Sequence, residues 1–333
     1  MSNYLIKRLA GTLPVILLIS LLVFSLIHAA PGDPTLMLLG EDATAEDVAR
    51  AKERWGLDQP LFVQYVKFLS SVAQGDFGKS FKFAEPVTSV IKQRLPATIE
   101  LALFSIVIAI FLAIPLGVWA GAKPNSWIDN LGTTFGLFGI SMPSFWLAIM
   151  LILLLAGILN VLPTSGRSTY GVAGPEITGF YLIDSLMERN WKAVRDALSH
   201  ILMPALALGV NMLGILMRVT RSAVLEVMNE EYVTTARAKG LTEGNVLWRH
   251  VTTNALIPVI TVVGLELGTL LSGSIIVETV FSWPGSGSLL ITALNARDYP
   301  LVTGLVMTYT AAFVLINLII DGLYAVVDPR IRY

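Results

Sequence analysis

Six long apolar segments, 9–29, 98–120, 133–159, 201–217, 256–277 and 302–326, constrain this chain more than anything else in it. They approach or exceed the roughly 20 residues that an α-helix needs to cross the hydrocarbon core of a bilayer. None alternates polar and apolar residues strictly, so a membrane β-barrel is not indicated. Helices are the remaining way to satisfy every backbone group in lipid. The charge content agrees, because only 14% of the 333 residues are charged and 54% are hydrophobic. Soluble domains carry about 25% charged residues, so a chain this poor in charge cannot clothe a water-facing surface of its size. The expected fold class is an all-α membrane protein with six transmembrane helices.

The first segment follows Lys7 and Arg8 and ends near His28-Ala29-Ala30, as a cleavable leader would. Its apolar run exceeds the roughly 7–15 residues of a leader's core, so it reads as a retained span. Basic residues are about twice as dense on the side that holds both termini, which predicts an N-in, C-in topology. Residues 31–96 then lie outside and are too long for a simple loop. A short helix is expected over 45–55, and Pro60, Gly75, Gly78 and Pro86 divide the rest of this segment into small pieces. Two further outside stretches cover 160–199 and 278–301. Glu100, at the mouth of the second span, is expected to be solvated.

Several functions are excluded by what is missing. The net charge of −1 supplies no field for nucleic acid. With no cysteine there is no disulfide, thiol nucleophile or Cys-ligated metal. His28, His200 and His250 are too far apart in sequence for a metal-binding motif. Gly78-Lys79-Ser80 resembles the end of a phosphate-binding loop, but Ala73 stands where that motif needs glycine. Gly285 and Gly287 lack the third glycine of a dinucleotide fingerprint, since Leu290 occupies its place. No span holds paired carboxylates, a nucleophile elbow or a His-Glu-x-x-His helix, so no catalytic residue and no cofactor is assigned. If ATP energises the protein, a partner must bind it. Glu266, in the middle of the fifth segment, either lines a solute pathway or hydrogen-bonds between helices beside Gly264 and Gly268. Asp321 reads as a structural pairing near the inner end of the last span.

The most informative stretch is polar. Between the fourth and fifth segments, 218–254 is basic and compatible with helix. Tyr232, Ala236 and Gly240 are four apart and would share one stripe of a helix. Gly240 suits a helix end that needs φ > 0, and a second helical stretch is expected over 243–254. Two short helices joined at a glycine would form a firm knob, able to enter a partner's cleft and carry motion back to the spans. The same composition also fits a solvated, positive loop, and the residues alone leave both readings open.

That stretch resembles the coupling loop of binding-protein-dependent ABC importer permeases, whose pattern is Glu-Ala-Ala, three residues, then Gly. Thr235-Ala236 stands where the pattern has Ala-Ala, and Gly240 takes its glycine place. The form Thr235-Ala236-Arg237-Ala238-Lys239-Gly240 is similar to the peptide and nickel branch. So are Pro31-Gly32-Asp33-Pro34, Phe281-Ser282-Trp283-Pro284-Gly285, Arg297-Asp298-Tyr299-Pro300 and Asp328-Pro329-Arg330-Ile331-Arg332, which together span the chain. One departure is that the family's Leu-Pro reads Thr252-Thr253 here, with a proline only at Pro258.

The resemblance implies a type I importer fold in a bacterial inner membrane. Residues 1–93 would be a transmembrane helix plus an extracytoplasmic segment, and 94–330 the permease core with a cytoplasmic loop at 219–254. Glu231, Tyr232, Thr235, Ala236, Arg237, Ala238, Lys239, Gly240 and Leu241 would contact the ATPase. The implied partners are a second homologous permease chain, two ABC ATPases that bind ATP and Mg, and an extracytoplasmic solute-binding protein. The solute would be a dipeptide or oligopeptide, to which the stretch from Thr178-Gly179-Phe180 to Asp184 points. Glutathione, nickel and oligosaccharide are the alternatives within the class. An ion-coupled secondary transporter would instead show inverted repeats and midplane ionisable pairs, and no repeat is visible.

Overall fold

The computed structural model of the chain describes residues 2–29, 44, 46, 58–172 and 177–327. Among these the chain is helical, apart from one isolated bridge between Lys79 and Pro86. In chain order the elements are α1 (Ser2–Ala29), α2 (Leu61–Ala73), α3 (Val87–Ala122), α4 (Trp127–Ser141) and α5 (Ser144–Leu151). A π-helical stretch, Ile152–Ile158, continues α5, and after it come α6 (Tyr181–Met187), α7 (Trp191–Met228) and α8 (Glu231–Ala238). The remaining elements are α9 (Glu243–Asn245), a second π-helical stretch Val246–Val251, α10 (Thr252–Val280), α11 (Ser286–Asn295) and α12 (Tyr299–Val327). The motifs at 31–34 and 328–332, the side chain of Asp321 and, but for residue 46, the helix expected at 45–55 lie outside the described residues.

Four helical stretches are long and apolar enough to cross a membrane: Val87–Ala122, Trp191–Met228, Glu243–Leu270 and Tyr299–Ile320. The third expected span, 133–159, is not one straight helix. It is α4 and α5 with its π-helical continuation, bent by 106° at Met142-Pro143. Pro143 offers no N–H to the preceding turn and pushes Met142 to extended angles (φ −84°, ψ 128°).

The described residues form two compact units, Pro96–Ser288 with Leu315–Tyr333, and Ser2–Leu95 with Leu289–Val314. In the first, α7 lies against α4, α5, α6 and α10. Glycines permit these contacts. A Cβ at Gly139 of α4 would come within 2.9 Å of the Val210 carbonyl, and one at Gly117 of α3 within 2.6 Å of Thr220 Cβ. Gly136 and Gly214 face each other backbone to backbone. Small residues at crossings are how helices associate where lipid is as apolar as leucine. At one end of this contact Arg221 of α7 clasps buried Asp129 of α4 with both Nε and Nη2, at 2.5 and 2.8 Å.

The far end of α10 holds a buried polar cluster. Glu278, expected to open a loop, is instead a fully buried residue of α10. Its carboxylate accepts from Thr98 Oγ1 (2.7 Å), Ser274 Oγ (3.1 Å) and the Ser288 N–H (2.9 Å). Gly285 and Gly287 are required beside it, since a Cβ at either would lie 2.5–2.9 Å from the carboxylate. Trp283 closes the cluster by donating Nε1–H to the Ala97 carbonyl at 2.9 Å. Glu100 is likewise buried rather than solvated, because Arg167 Nη2 binds it at 2.6 Å and the Leu182 N–H donates to it at 2.8 Å. The Thr178–Asp184 stretch is tied internally. Burial pushes the Asp184 carboxyl up, but hydrogen bonds from Thr178 Oγ1 and the N–H groups of Thr178, Ile177 and Gly179 hold it below the usual carboxylate range.

In the second unit, buried Asp298 precedes α12 and accepts from the Leu301 N–H, Ser80 Oγ and the Lys82 N–H. Ser80 of the phosphate-loop look-alike is thus a buried structural contact. Val87, Val90, Ile91, Leu289, Ala293, Leu301 and Leu305 form an apolar core in this unit. Replacing Glu278 tests how far these polar clusters carry the fold. Glu278→Leu removes the acceptor that Thr98, Ser274 and Ser288 share, a loss of about 1–3 kcal/mol for each donor left without a partner, so the variant should lose several degrees of melting temperature in detergent and much of its membrane yield.

Candidate functional site

The polar insert between α7 and α10 folds as a knob on the end of two long helices. Helix α7 runs on past its apolar segment to Met228, and a turn at Asn229-Glu230 leads into α8. The inward face of α8 is Val233 and Ala236, three residues apart. They pack with Val118 of α3, Ala223 and Val224 of α7, Val246 and Val251 of the π-helical stretch, and Ala255 of α10. Full burial of a valine side chain contributes about 1.5–3 kcal/mol, so α8 is held to three long helices by a dry aliphatic contact. The expected stripe of Tyr232, Ala236 and Gly240 is not the face that anchors the helix. Only Ala236 of the three is buried, because the neighbours reach α8 from the side of Val233.

Glycine ends α8 as its position required. Gly240 has φ +79°, its N–H reaches the Arg237 carbonyl at 2.9 Å, and the Leu241 N–H reaches the Ala236 carbonyl at 3.4 Å. This pair of bonds satisfies the last carbonyls of the helix. A Cβ at Gly240 would meet open space, so the requirement is conformational and not steric. Arg237 pairs with Glu243 at 3.0 Å across the turn, an exposed contact that contributes about 0–1 kcal/mol.

The outer face of the knob presents Glu231, Tyr232, Thr235, Ala238, Lys239, Gly240 and Leu241 to the surroundings, with Arg237 half-buried. Tyr232 is 40% exposed, yet its hydroxyl accepts from Asn254 Nδ2 at 2.8 Å. That bond links the knob's face directly to α10. Thr252, at the place of the departure from the Leu-Pro pattern, donates both its N–H and, at 2.9 Å, its Oγ1–H to the Leu247 carbonyl. The π-helical turn is thus closed by a side chain as well as by the backbone.

Glu266 stands apart from the knob, half-buried in α10. Thr269 Oγ1 donates to its carboxylate at 3.1 Å, and among the described residues it takes no hydrogen bond from another helix. Close packing occurs one half-turn away, where a Cβ on Gly264 would come within 2.6 Å of Ile320 on α12. Among the described residues no group of three or more His, Asp or Glu is disposed to hold a metal ion.

Residues 113–333 match the family described as binding-protein-dependent transport system inner membrane component, and residues 1–102 match the N-terminal region of the same kind of membrane component. The chain belongs to this family. It is 40% identical over all 333 residues to a dipeptide transport system permease protein of Alkalihalophilus pseudofirmus, with both chains fully covered. It is 42% identical to the dipeptide transport system permease protein of Escherichia coli K12, covering 100% of this chain and 99% of the relative. A glutathione transport system permease protein of Salmonella paratyphi A is 38% identical, again over the whole of both chains.

As a permease of a binding-protein-dependent importer, the protein is a multi-pass inner-membrane transport subunit of a family that is not enzymatic and has no cofactor of its own. The readings as an ion-coupled carrier or a membrane-embedded enzyme are set aside. Sequence reasoning located α8 and its terminal glycine but missed Val233, because it weighed the spacing of small residues above that of apolar ones. The signal was there: Val233 and Ala236 are the apolar i, i+3 pair of an otherwise polar helix. Gly240→Val should destabilise the folded permease by about 1–2 kcal/mol through backbone strain, whereas Gly240→Asn, which tolerates positive φ, should lose markedly less. Melting curves of the two variants check this.

Proposed function

We propose that this permease imports dipeptides or oligopeptides, with α8 acting as the lever through which ATP hydrolysis moves the spans. The observation that carries this reading is the packing of Val233 and Ala236 against α3, α7 and α10 at once. A displacement of α8 cannot be absorbed locally, because close-packed side chains transmit strain. In this reading six helices cross the membrane with both termini inside. Residues 1–93 supply a transmembrane helix and an extracytoplasmic segment, 94–330 form the permease core, and 219–254 are the cytoplasmic loop. A second homologous permease chain completes the pore. Two ABC ATPases bind ATP and Mg and receive Glu231, Tyr232, Thr235, Arg237, Ala238, Lys239, Gly240 and Leu241, while Ala236, expected among these contacts, faces inward and anchors the helix that presents them. A solute-binding protein docks on the opposite side.

The peptide assignment is supported by the names of relatives 40–42% identical over the full length. The glutathione permease at 38% identity favours glutathione, itself a tripeptide, as the second reading. Transport by the reconstituted complex decides between them. Labelled dipeptide should accumulate in an ATP-dependent manner and be displaced by unlabelled dipeptide better than by glutathione or Ni²⁺. Gly240→Trp should abolish uptake while the chain still inserts in the membrane, and normal uptake by that variant would remove the lever role. Glu266 belongs to the pathway if Glu266→Gln changes the rate or the peptide preference at least severalfold; unchanged uptake assigns it to packing.

A further inference from the structure

Helix α2 lies within the long segment after α1, and none of its residues is buried. Its side chains divide into three sectors. Gln64, Tyr65 and Phe68 turn toward α1. The Tyr65 hydroxyl donates to the Leu17 carbonyl at 3.2 Å and is 2.9 Å from Ser20 Oγ. Gln64 meets His28 at 3.0 Å, and the Phe24 ring lies 5.3 Å from that of Tyr65 and 5.8 Å from that of Phe68. A second sector is mainly polar and exposed, with Lys67, Ser70, Ser71 and Gln74 beside one exposed valine, Val63, at its start. The third is Phe62, Val66, Leu69 and Ala73, at i, i+4, i+7 and i+11, an apolar stripe along one side. Phe62 is 76% exposed and Val66 47%.

The contacts to α1 fix the depth of this stripe. Leu17 lies twelve residues before Ala29, the last residue of α1, which is about 18 Å along the axis. A bilayer's hydrocarbon core is about 30 Å thick. If α1 crosses it, the Leu17 carbonyl lies inside that core, and Tyr65 can reach it only from a helix that is itself at membrane level. The neighbouring face of α1 is apolar and open too, with Leu13, Leu18, Leu21 and Leu22 all exposed. Helix α2 is too short to cross, at 13 residues against a requirement of about 20. Asp58 and Asp76 flank it, so each of its ends carries a carboxylate that is costly to bury in lipid.

We propose that α2 is an interfacial helix, seated in the leaflet into which the Ala29 end of α1 emerges, with Phe62, Val66, Leu69 and Ala73 among the lipid acyl chains. Helix α2, held against α1, then adds to the lipid contact of the permease, and the Lys67 ammonium on its polar sector reaches the headgroups. The proposal rests on the reading of α1 as a membrane span.

The native chain has no cysteine, so single-cysteine variants report one position each. Phe62→Cys, Val66→Cys, Lys67→Cys, Ser71→Cys and, as a marker for α1, Leu18→Cys are labelled with an environment-sensitive fluorophore in the assembled transporter in phospholipid vesicles. Ala73→Cys, a swap of one small side chain for another, repeats the measurement on the stripe should the larger changes disturb folding. Quenching by nitroxide-bearing phospholipid should be at least threefold stronger at 62, 66 and 73 than at 67 and 71, with aqueous iodide giving the reverse order. Strong lipid quenching at 18 with iodide quenching at 62, 66 and 73 overturns the proposal while leaving α1 a span. Protection of the stripe from both quenchers overturns it in favour of a protein partner. Absence of lipid quenching at 18 overturns the reading of α1 and the proposal with it.

Discussion

The approach of other backbones to α7 is the constraint on which the Pro96–Ser288 unit depends. Between helices in lipid there is no hydrophobic gain from contact, so association must come from close packing and from polar bonds that have no better partner. Gly136 meets Gly214 without side chains between them, and Gly117 and Gly139 receive Thr220 and Val210. Arg221 and Asp129 then pin one end of the α4 contact with a bidentate pair. A helix so hemmed in has few ways to move except as a body. The family's chemistry-free role, moving a solute and transforming nothing, asks for such a scaffold.

The knob extends that logic out of the apolar region. Its outer face is charged and exposed, as a solvated loop would be, and its inner face is two small aliphatic residues in a dry cluster. The bond from Asn254 to the Tyr232 hydroxyl and the doubly bonded Leu247 carbonyl continue the connection into α10 through a π-helical turn. π-helical turns inside helices are frequent at functional sites. Here the Leu247 carbonyl takes both the N–H and the Oγ1–H of Thr252, so the residue at the departure from the Leu-Pro pattern adds a side-chain bond to the turn.

Much of this was legible from hydropathy and glycine placement. Five of the six apolar segments lie within single continuous helices, because length and apolarity are local properties. Gly240 was readable for the same reason, since a positive φ at a helix end excludes most other residues. The bend at Pro143 was missed, although the residue before a proline is biased away from helix, because the apolar run continued unbroken through it. Glu100 and Glu278 were misplaced. From sequence a carboxylate at the end of a span looks solvated, and its partners are distant: Arg167 is 67 residues from Glu100, and Thr98 is 180 from Glu278.

By itself the sequence determined that the chain is helical and membrane-bound, that it has no thiol, and that its informative polar insert ends a helix at Gly240. These conclusions come from composition and from backbone limits that act within a few residues. Only the tertiary structure decided which residues hold that insert in place. Val233 rather than Tyr232 faces inward because α3, α7 and α10 arrive from that side. Likewise Glu278, Asp298 and the glycines beside them are buried structural centres because chain segments far apart in sequence close over them. Burial is set by what packs against a residue, and no local pattern contains that information.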